Sequence, residues 1–217
     1  MMKRNNFPFS AVLGLNHAKT AILIVLVNPR AGGLLISGPR GIGKSTLMRS
    51  TQELIERPWR DIPVSVTEDR LFGTIDTEKA IYSGQKKLYP GIINEADQGV
   101  LYLDDANLLR EDLLDSILNI AEVGAYQLER DGLSLRCDTS FTVIAAINPE
   151  SGMLSGACLD QFGLFVNVDN IHDENTRVEI LKRTISFEKD CASFCNLWKL
   201  ENEKIKKAIH SAMSLLP

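Results

Sequence analysis

Between the apolar run Leu34-Leu35-Ile36-Ser37 and a stretch of helical periodicity, the chain reads Gly38-Pro39-Arg40-Gly41-Ile42-Gly43-Lys44-Ser45, a full match to G-x-x-x-x-G-K-[ST]. Glycines at these spacings let backbone N–H groups curl round a phosphate without Cβ clashes, and the helix that follows adds the partial positive charge of its N-terminus. In such a loop, running on to Thr46, Lys44 reaches the β- and γ-phosphates and Ser45 ligates Mg²⁺. The bland alternative is a glycine turn with a surface lysine, which the strand–helix setting argues against. A phosphate loop also needs a carboxylate for the metal's water shell, usually at the end of a neighbouring parallel strand. Asp104 stands there, directly after Val100-Leu101-Tyr102-Leu103. Asp105 follows it, where it would polarise an attacking water or, more plainly, start the next helix, since Asp is a favoured cap. Asn148 ends the run Phe141 to Ile147 and is placed to hydrogen-bond a γ-phosphate or lytic water, although Asn-Pro is equally an ordinary turn signal.

These residues need a scaffold, and the periodicity supplies one. Ala18, Ala21, Ile22, Val25 and Leu26 mark a helix that stops before Asn28-Pro29, and a second helix is expected from about Lys44 to Glu56. Strands are expected near Leu34, at Val64-Ser65-Val66, near Leu101, over Phe141 to Ile147 and over Leu164 to Val168, with a short helical piece around Glu78 to Tyr82. Leu113, Leu114, Ile117, Leu118 and Ala121 fall on one helical face closed by Gly124, and Asp131-Gly132 sets a tight hairpin within Tyr126 to Cys137. Asp173 to Leu216 reads as helical. Strands alternating with helices indicate an α/β fold with a mainly parallel five-stranded sheet, a β-hairpin insertion and a helical C-terminal segment.

Composition limits the rest. With 217 residues, 44% hydrophobic and 24% charged, the chain can bury a substantial core and is not a disordered polymer. A net charge of −4 provides no basic field for nucleic acid, so phosphate must be held by local geometry. The longest apolar run, Ala21 to Val27, is too short for a membrane span, and no apolar core follows the basic N-terminal residues, so a cytoplasmic location is expected. The four cysteines are expected to be reduced, and Cys191-x3-Cys195 lacks the second pair of ligands a metal site needs. His17, His172 and His210 have no evident partners and carry no assigned role.

The blocks FPFSAVLGLNHAKTAILIVLVNPRAGGLLISG, GPRGIGKST, EDRLFGTIDTEKAI, YPGIINEADQGVLYLDDANLL, LERDGLSLR, INPE and LDQFGL, taken in order, resemble the AAA+ ATPase subunit of magnesium chelatase over most of the first 190 residues. The resemblance implies ATP and Mg²⁺ as cofactors and a homo-oligomeric, hexameric ring. It also implies a partnership with integrin-like and porphyrin-binding subunits that inserts Mg²⁺ into protoporphyrin. It makes Asn148 the sensor asparagine, residues 1–190 the nucleotide-binding core and 191–217 the start of a helical lid. Three departures stand out. The family has Asp-Glu where this chain has Asp104-Asp105, it has an arginine finger where this chain has Gln161, and it continues past Pro217 through a lid with a further phosphate-sensing arginine. Three functions follow as expectations: an ATPase motor subunit; a nucleotide-binding scaffold or regulatory subunit with little hydrolysis; or a MoxR-like chaperone for metal-cofactor maturation. Arg177, Arg130 and Arg136 are the candidates to replace the missing finger.

Overall fold

In the computed structural model, residues 6–75, 88–130 and 133–216 are described. Five parallel strands form the main sheet in the order β2-β5-β8-β1-β9, with β1 at Leu34–Ser37, β2 at Trp59–Ile62, β5 at Gly99–Leu103, β8 at Phe141–Ile147 and β9 at Leu164–Asn167. The three central strands are buried at every position, as continuous apolar runs require when both faces are covered. Alternation sorts their side chains. Leu35, Leu101, Leu103, Val143 and Ala145 face a layer containing α5 (Glu111–Val123), whereas Leu34, Ile36, Val100, Ile144 and Ala146 face α1 (Asn16–Val27) and α2 (Lys44–Thr51).

Helix α5 carries the expected apolar face and ends at Gly124, whose φ of 77° and N–H bond to Ile120 O make the expected left-handed cap. Before it come α3 (Glu68–Phe72), the short antiparallel pair β3 (Gly73–Ile75) and β4 (Leu88–Pro90), and α4 (Ile92–Glu95). The hairpin is present as β6 (Ala125–Arg130) and β7 (Leu133–Asp138), paired antiparallel. Its Asp131-Gly132 turn and the helical piece expected around Glu78 to Tyr82 lie outside the described residues. Helices α6 (Gly156–Asp160), α7 (Glu174–Lys189) and α8 (Cys191–Met213) complete the order. Among the described residues no helix is long and apolar enough to cross a membrane, and no group of three or more His, Cys, Asp or Glu side chains is arranged to hold a metal. Cys191 and Cys195 lie on the first two turns of α8.

Two expected elements are corrected. The second strand is Trp59–Ile62, not Val64-Ser65-Val66. It is an edge strand paired only to β5, so Arg60 and Asp61 remain exposed on it, which suits an edge and hides it from a search for apolar runs. Pro63 then supplies no N–H, Val66 N turns back to Pro63 O, and Val64 is left 41% exposed. The helix expected to reach Glu56 ends its α-helical turns at Thr51 and tightens into a 3-10 turn over Gln52–Leu54. The hydroxyls of Ser50 and Thr51 both donate back to Leu47 O, bonding that weakens the last turn of the helix.

Helix α8 lies against α1, with Ile209 buried in their shared core. It also meets the N-terminal strap, where Ser10 N donates to Asn202 Oδ1 (2.9 Å) and Phe7 packs on Phe187 of α7 and Phe194 of α8. Just before β9, Gly163 donates to Gly32 O (2.8 Å), and a Cβ at position 163 would sit 1.7 Å from Ala31 O. Gly163→Ala is therefore expected to lower stability by about 3 kcal/mol in urea unfolding, since backbone rather than a mobile side chain must yield. An unchanged midpoint would show that the β1–β9 entry is loose.

Candidate functional site

Parallel strands bring their C-terminal ends to one edge of the sheet, and the glycine loop, Asp104, Asp105 and Asn148 all follow strands ending there. Gly38 leaves β1 with its N–H on Ile147 O, and Gly41 and Gly43 take φ of +83° and +93°. No atom lies within 4 Å of a Cβ built on Gly41, so the loop opens outward there. The result is a cleft of about 270 Å³ lined by Arg40, Gly41, Gly43 to Thr46, Asp104 and Asp105.

Lys44 opens α2 and is buried; its Nζ donates to Gly38 O (2.6 Å) and Pro39 O (2.9 Å), which centres the ammonium in the loop. Burial lowers its pKa from the ordinary lysine value, and the charges of Asp105 and Asp104 partly oppose this. Ser45 Oγ donates to Asp104 Oδ2 at 2.9 Å. The pair presents only hard oxygen donors, the set that Mg²⁺ prefers, on the wall of the loop cleft. Asp105 adopts a left-handed conformation (φ 50°) at the head of the 3-10 turn Ala106–Leu108, yet its side chain makes no cap bond there, and α5 begins later, at Glu111. Asp105 therefore heads the next helical turn through its backbone carbonyl, which accepts from Leu108 N (2.8 Å), with its side chain left out of the cap.

Asn148 is buried at the end of β8 but is absent from the cleft lining. Its Oδ1 accepts from Glu150 N (3.2 Å) and its Nδ2 donates to Ser151 Oγ (3.3 Å), so the amide is engaged in the Asn-Pro turn. Tyr102 escaped the sequence reading because it looks like one more apolar residue of β5. It is 4% exposed, and its hydroxyl lies against the side chains of Asp104 and Ser45 without making a well-formed hydrogen bond. A buried donor left unmatched costs about 1–3 kcal/mol.

Gln161 lies at the opposite edge of the sheet, at the end of α6, with Nε2 on Ala157 O (3.4 Å). It cannot serve the loop of its own chain. It shares a surface cleft of about 660 Å³ with Arg30, Gly33, Glu122 and Asp160, and the Arg30 guanidinium there is exposed and has no partner among the described residues. Of the sequence-based substitutes, Arg136 is paired to Asp138 (3.0 Å) on the hairpin, and the Arg130 side chain lies outside the described residues. Arg177 lines a cavity of about 760 Å³ adjoining its own chain's loop. That cavity shares Gly41, Gly43 and Thr46 with the loop cleft and is otherwise walled by the strap residues Phe7, Val12 and Leu15 and by Ile180 and Phe187 of α7.

Comparison with known proteins agrees with this architecture. The family described as AAA domain (dynein-related subfamily) matches residues 33–161. The magnesium-chelatase 38 kDa subunit of Cereibacter sphaeroides is 35% identical over 244 residues, spanning 97% of this chain and 73% of that protein. The magnesium-chelatase subunit ChlI of Synechocystis sp. is 32% identical over 99% of this chain and 71% of its own length. Among solved structures, a cryo-EM-based complex between subunits BchI and BchD of magnesium chelatase matches with a TM-score of 0.72 and 35% identity, over 99% of this chain and 77% of that one. A glycine loop with a buried lysine, a serine–aspartate pair at the same sheet edge and this extent of likeness lead to one conclusion: the chain belongs to the magnesium-chelatase AAA+ subunit family, an ATPase-type lineage.

Proposed function

We propose that this chain is the ATP-binding motor subunit of a magnesium-chelatase-like assembly, coupling ATP binding and hydrolysis to insertion of Mg²⁺, here a substrate, into a porphyrin. The observation that carries the reading is the Ser45–Asp104 bond directly beneath the Gly38–Thr46 loop, with Lys44 held at the loop's centre. In the nucleotide-bound protein, the loop N–H groups and Lys44 bind the phosphates. Ser45 and Asp104 hold the cofactor magnesium, which when bound offsets charge on the phosphates. Asp105, whose side chain makes no cap bond, accepts a hydrogen bond from the attacking water and orients it. Asn148 contributes from the neighbouring strand after releasing its turn contacts. The adjoining cavity, apolar on the strap side, receives the nucleoside. The protein is taken to assemble as a homo-oligomeric ring with integrin-like and porphyrin-binding partner subunits, in keeping with its likeness to a chain solved in a two-subunit chelatase complex.

The two carboxylates should separate by experiment. Asp104→Asn is expected to weaken the Mg²⁺ dependence of ATP binding at least about tenfold, whereas Asp105→Asn should leave binding intact and lower phosphate release by about 10²–10⁴. A loss of thermal stability in Asp105→Asn without a kinetic effect would contradict the water-orienting role. A second reading is favoured by Gln161 and by the short Asp105 side chain: a nucleotide-binding scaffold in which ATP orders an interface with little turnover. Steady-state phosphate release by the purified chain, alone and mixed with an arginine-finger donor subunit, separates the two.

A further inference from the structure

Beneath the loop, Tyr102 is the buried polar group that the proposed chemistry leaves unused. A buried phenol ordinarily finds a hydrogen-bond partner. Here the ring is fixed by packing against Trp59, with centroids 5.9 Å apart, and the hydroxyl is directed at Asp104 and Ser45. Asp104 directly follows β5, two positions after Tyr102, so the strand's alternation carries both toward the same face of the sheet. The other carboxylate nearby, Asp61 on β2, makes its hydrogen bond with Trp59 Nε1 (2.8 Å) at the exposed edge of the sheet. Ser45 gives its one proton to Asp104 Oδ2, the single well-formed hydrogen bond this carboxylate accepts among the described residues. The phenolic proton is therefore held beside a carboxylate that still has acceptor capacity, without being aligned to it.

We propose that Tyr102 is a positioning residue of the magnesium–nucleotide site, its hydroxyl donating to the Asp104 carboxylate when the site is loaded and so fixing that carboxylate towards the cation. The inference rests on the reading of Asp104 and Ser45 as the magnesium-holding pair. Its chemistry is that of metal sites generally, in which ligating carboxylates are themselves hydrogen-bonded, and removal of such an outer partner typically costs 10–100-fold in metal affinity. Here the phenol stands beside the carboxylate without an aligned hydrogen bond.

That arrangement gives the proposal a signature that a merely structural tyrosine would not show. Tyr102→Phe keeps the ring and its Trp59 contact and removes only the hydroxyl. The melting temperature of the metal-free, nucleotide-free variant is expected to equal or exceed that of the wild type, because an unmatched buried group has been removed. By titration calorimetry its affinity for ADP in EDTA should be unchanged, while the MgCl2 concentration that half-saturates the ADP-bound protein rises at least about tenfold. In an Asp104→Asn background the same change should have no further effect on the MgCl2 dependence. An unaltered MgCl2 requirement in Tyr102→Phe, or a lowered melting temperature with equal losses of ADP affinity with and without metal, overturns the inference. Wild-type protein that binds ADP with no dependence on MgCl2 overturns the reading of the metal pair itself.

Discussion

Lys44→Ala should bind ATP at least about 100-fold more weakly than the wild type, the loss of roughly 2.7 kcal/mol, by titration calorimetry in the presence of MgCl2. The size follows from what Lys44 does. Its ammonium is buried at the centre of the loop with two protons on Gly38 O and Pro39 O, so the charge is held where phosphate oxygens arrive. A hydrogen bond to a charged group contributes about 1.5–3 kcal/mol, and a lysine bridging two phosphates makes more than one. Arg40, the nearest other cation of the loop, is exposed and is not positioned by any hydrogen bond among the described residues. Unchanged affinity in Lys44→Ala would remove the basis for nucleotide binding at this loop.

Gln161→Arg should raise ATP turnover at least about tenfold, which is 1.4 kcal/mol of transition-state stabilisation, in samples whose assembly is confirmed by sedimentation. Wild-type turnover should be slow. An arginine finger lent by a neighbouring subunit is worth about 10³–10⁵ in rate, because a guanidinium offsets charge spread over the transferring phosphoryl group. Glutamine offers only a neutral amide. Gln161 stands at the sheet edge opposite its own loop, where a group can act only on a neighbour's site. Arg30 shares its cleft. Fast wild-type turnover that Arg30→Ala abolishes and Gln161→Arg does not increase would assign the cation to Arg30.

The glycine loop was legible because its chemistry demands particular residue types at fixed spacing, and the central strands because burial on both faces demands unbroken apolar runs. Trp59–Ile62 was not, since an edge strand exposes Arg60 and Asp61 and offers no such run. Neither was the early end of α2, where two hydroxyls bond back to one carbonyl of the last turn. Arg30 and Tyr102 escaped for a different reason. Their interest comes from neighbours distant in sequence, a cleft shared with position 161 and a hydroxyl lodged against Ser45, and no local pattern marks either. Asn148 could be placed at the end of its strand from sequence, but the engagement of its amide with Glu150 and Ser151 could not.

The larger cavity beside the loop is walled by segments from opposite parts of the chain. Phe7 to Leu15 supply one side and α7 the other, joined by Arg183 Nη1 donating to Ala11 O (3.0 Å) and by the contacts of Phe7 with Phe187 and Phe194. Local opening of this seam would separate these contacts while leaving the central sheet intact. A nucleoside seated as proposed would touch both sides and favour the closed seam by mass action. Amide exchange in residues 7–15 and 174–189 should then slow together on nucleotide binding, while β5 and β8 keep their own rates. Occupancy of the site would thereby be registered in how firmly the strap is held.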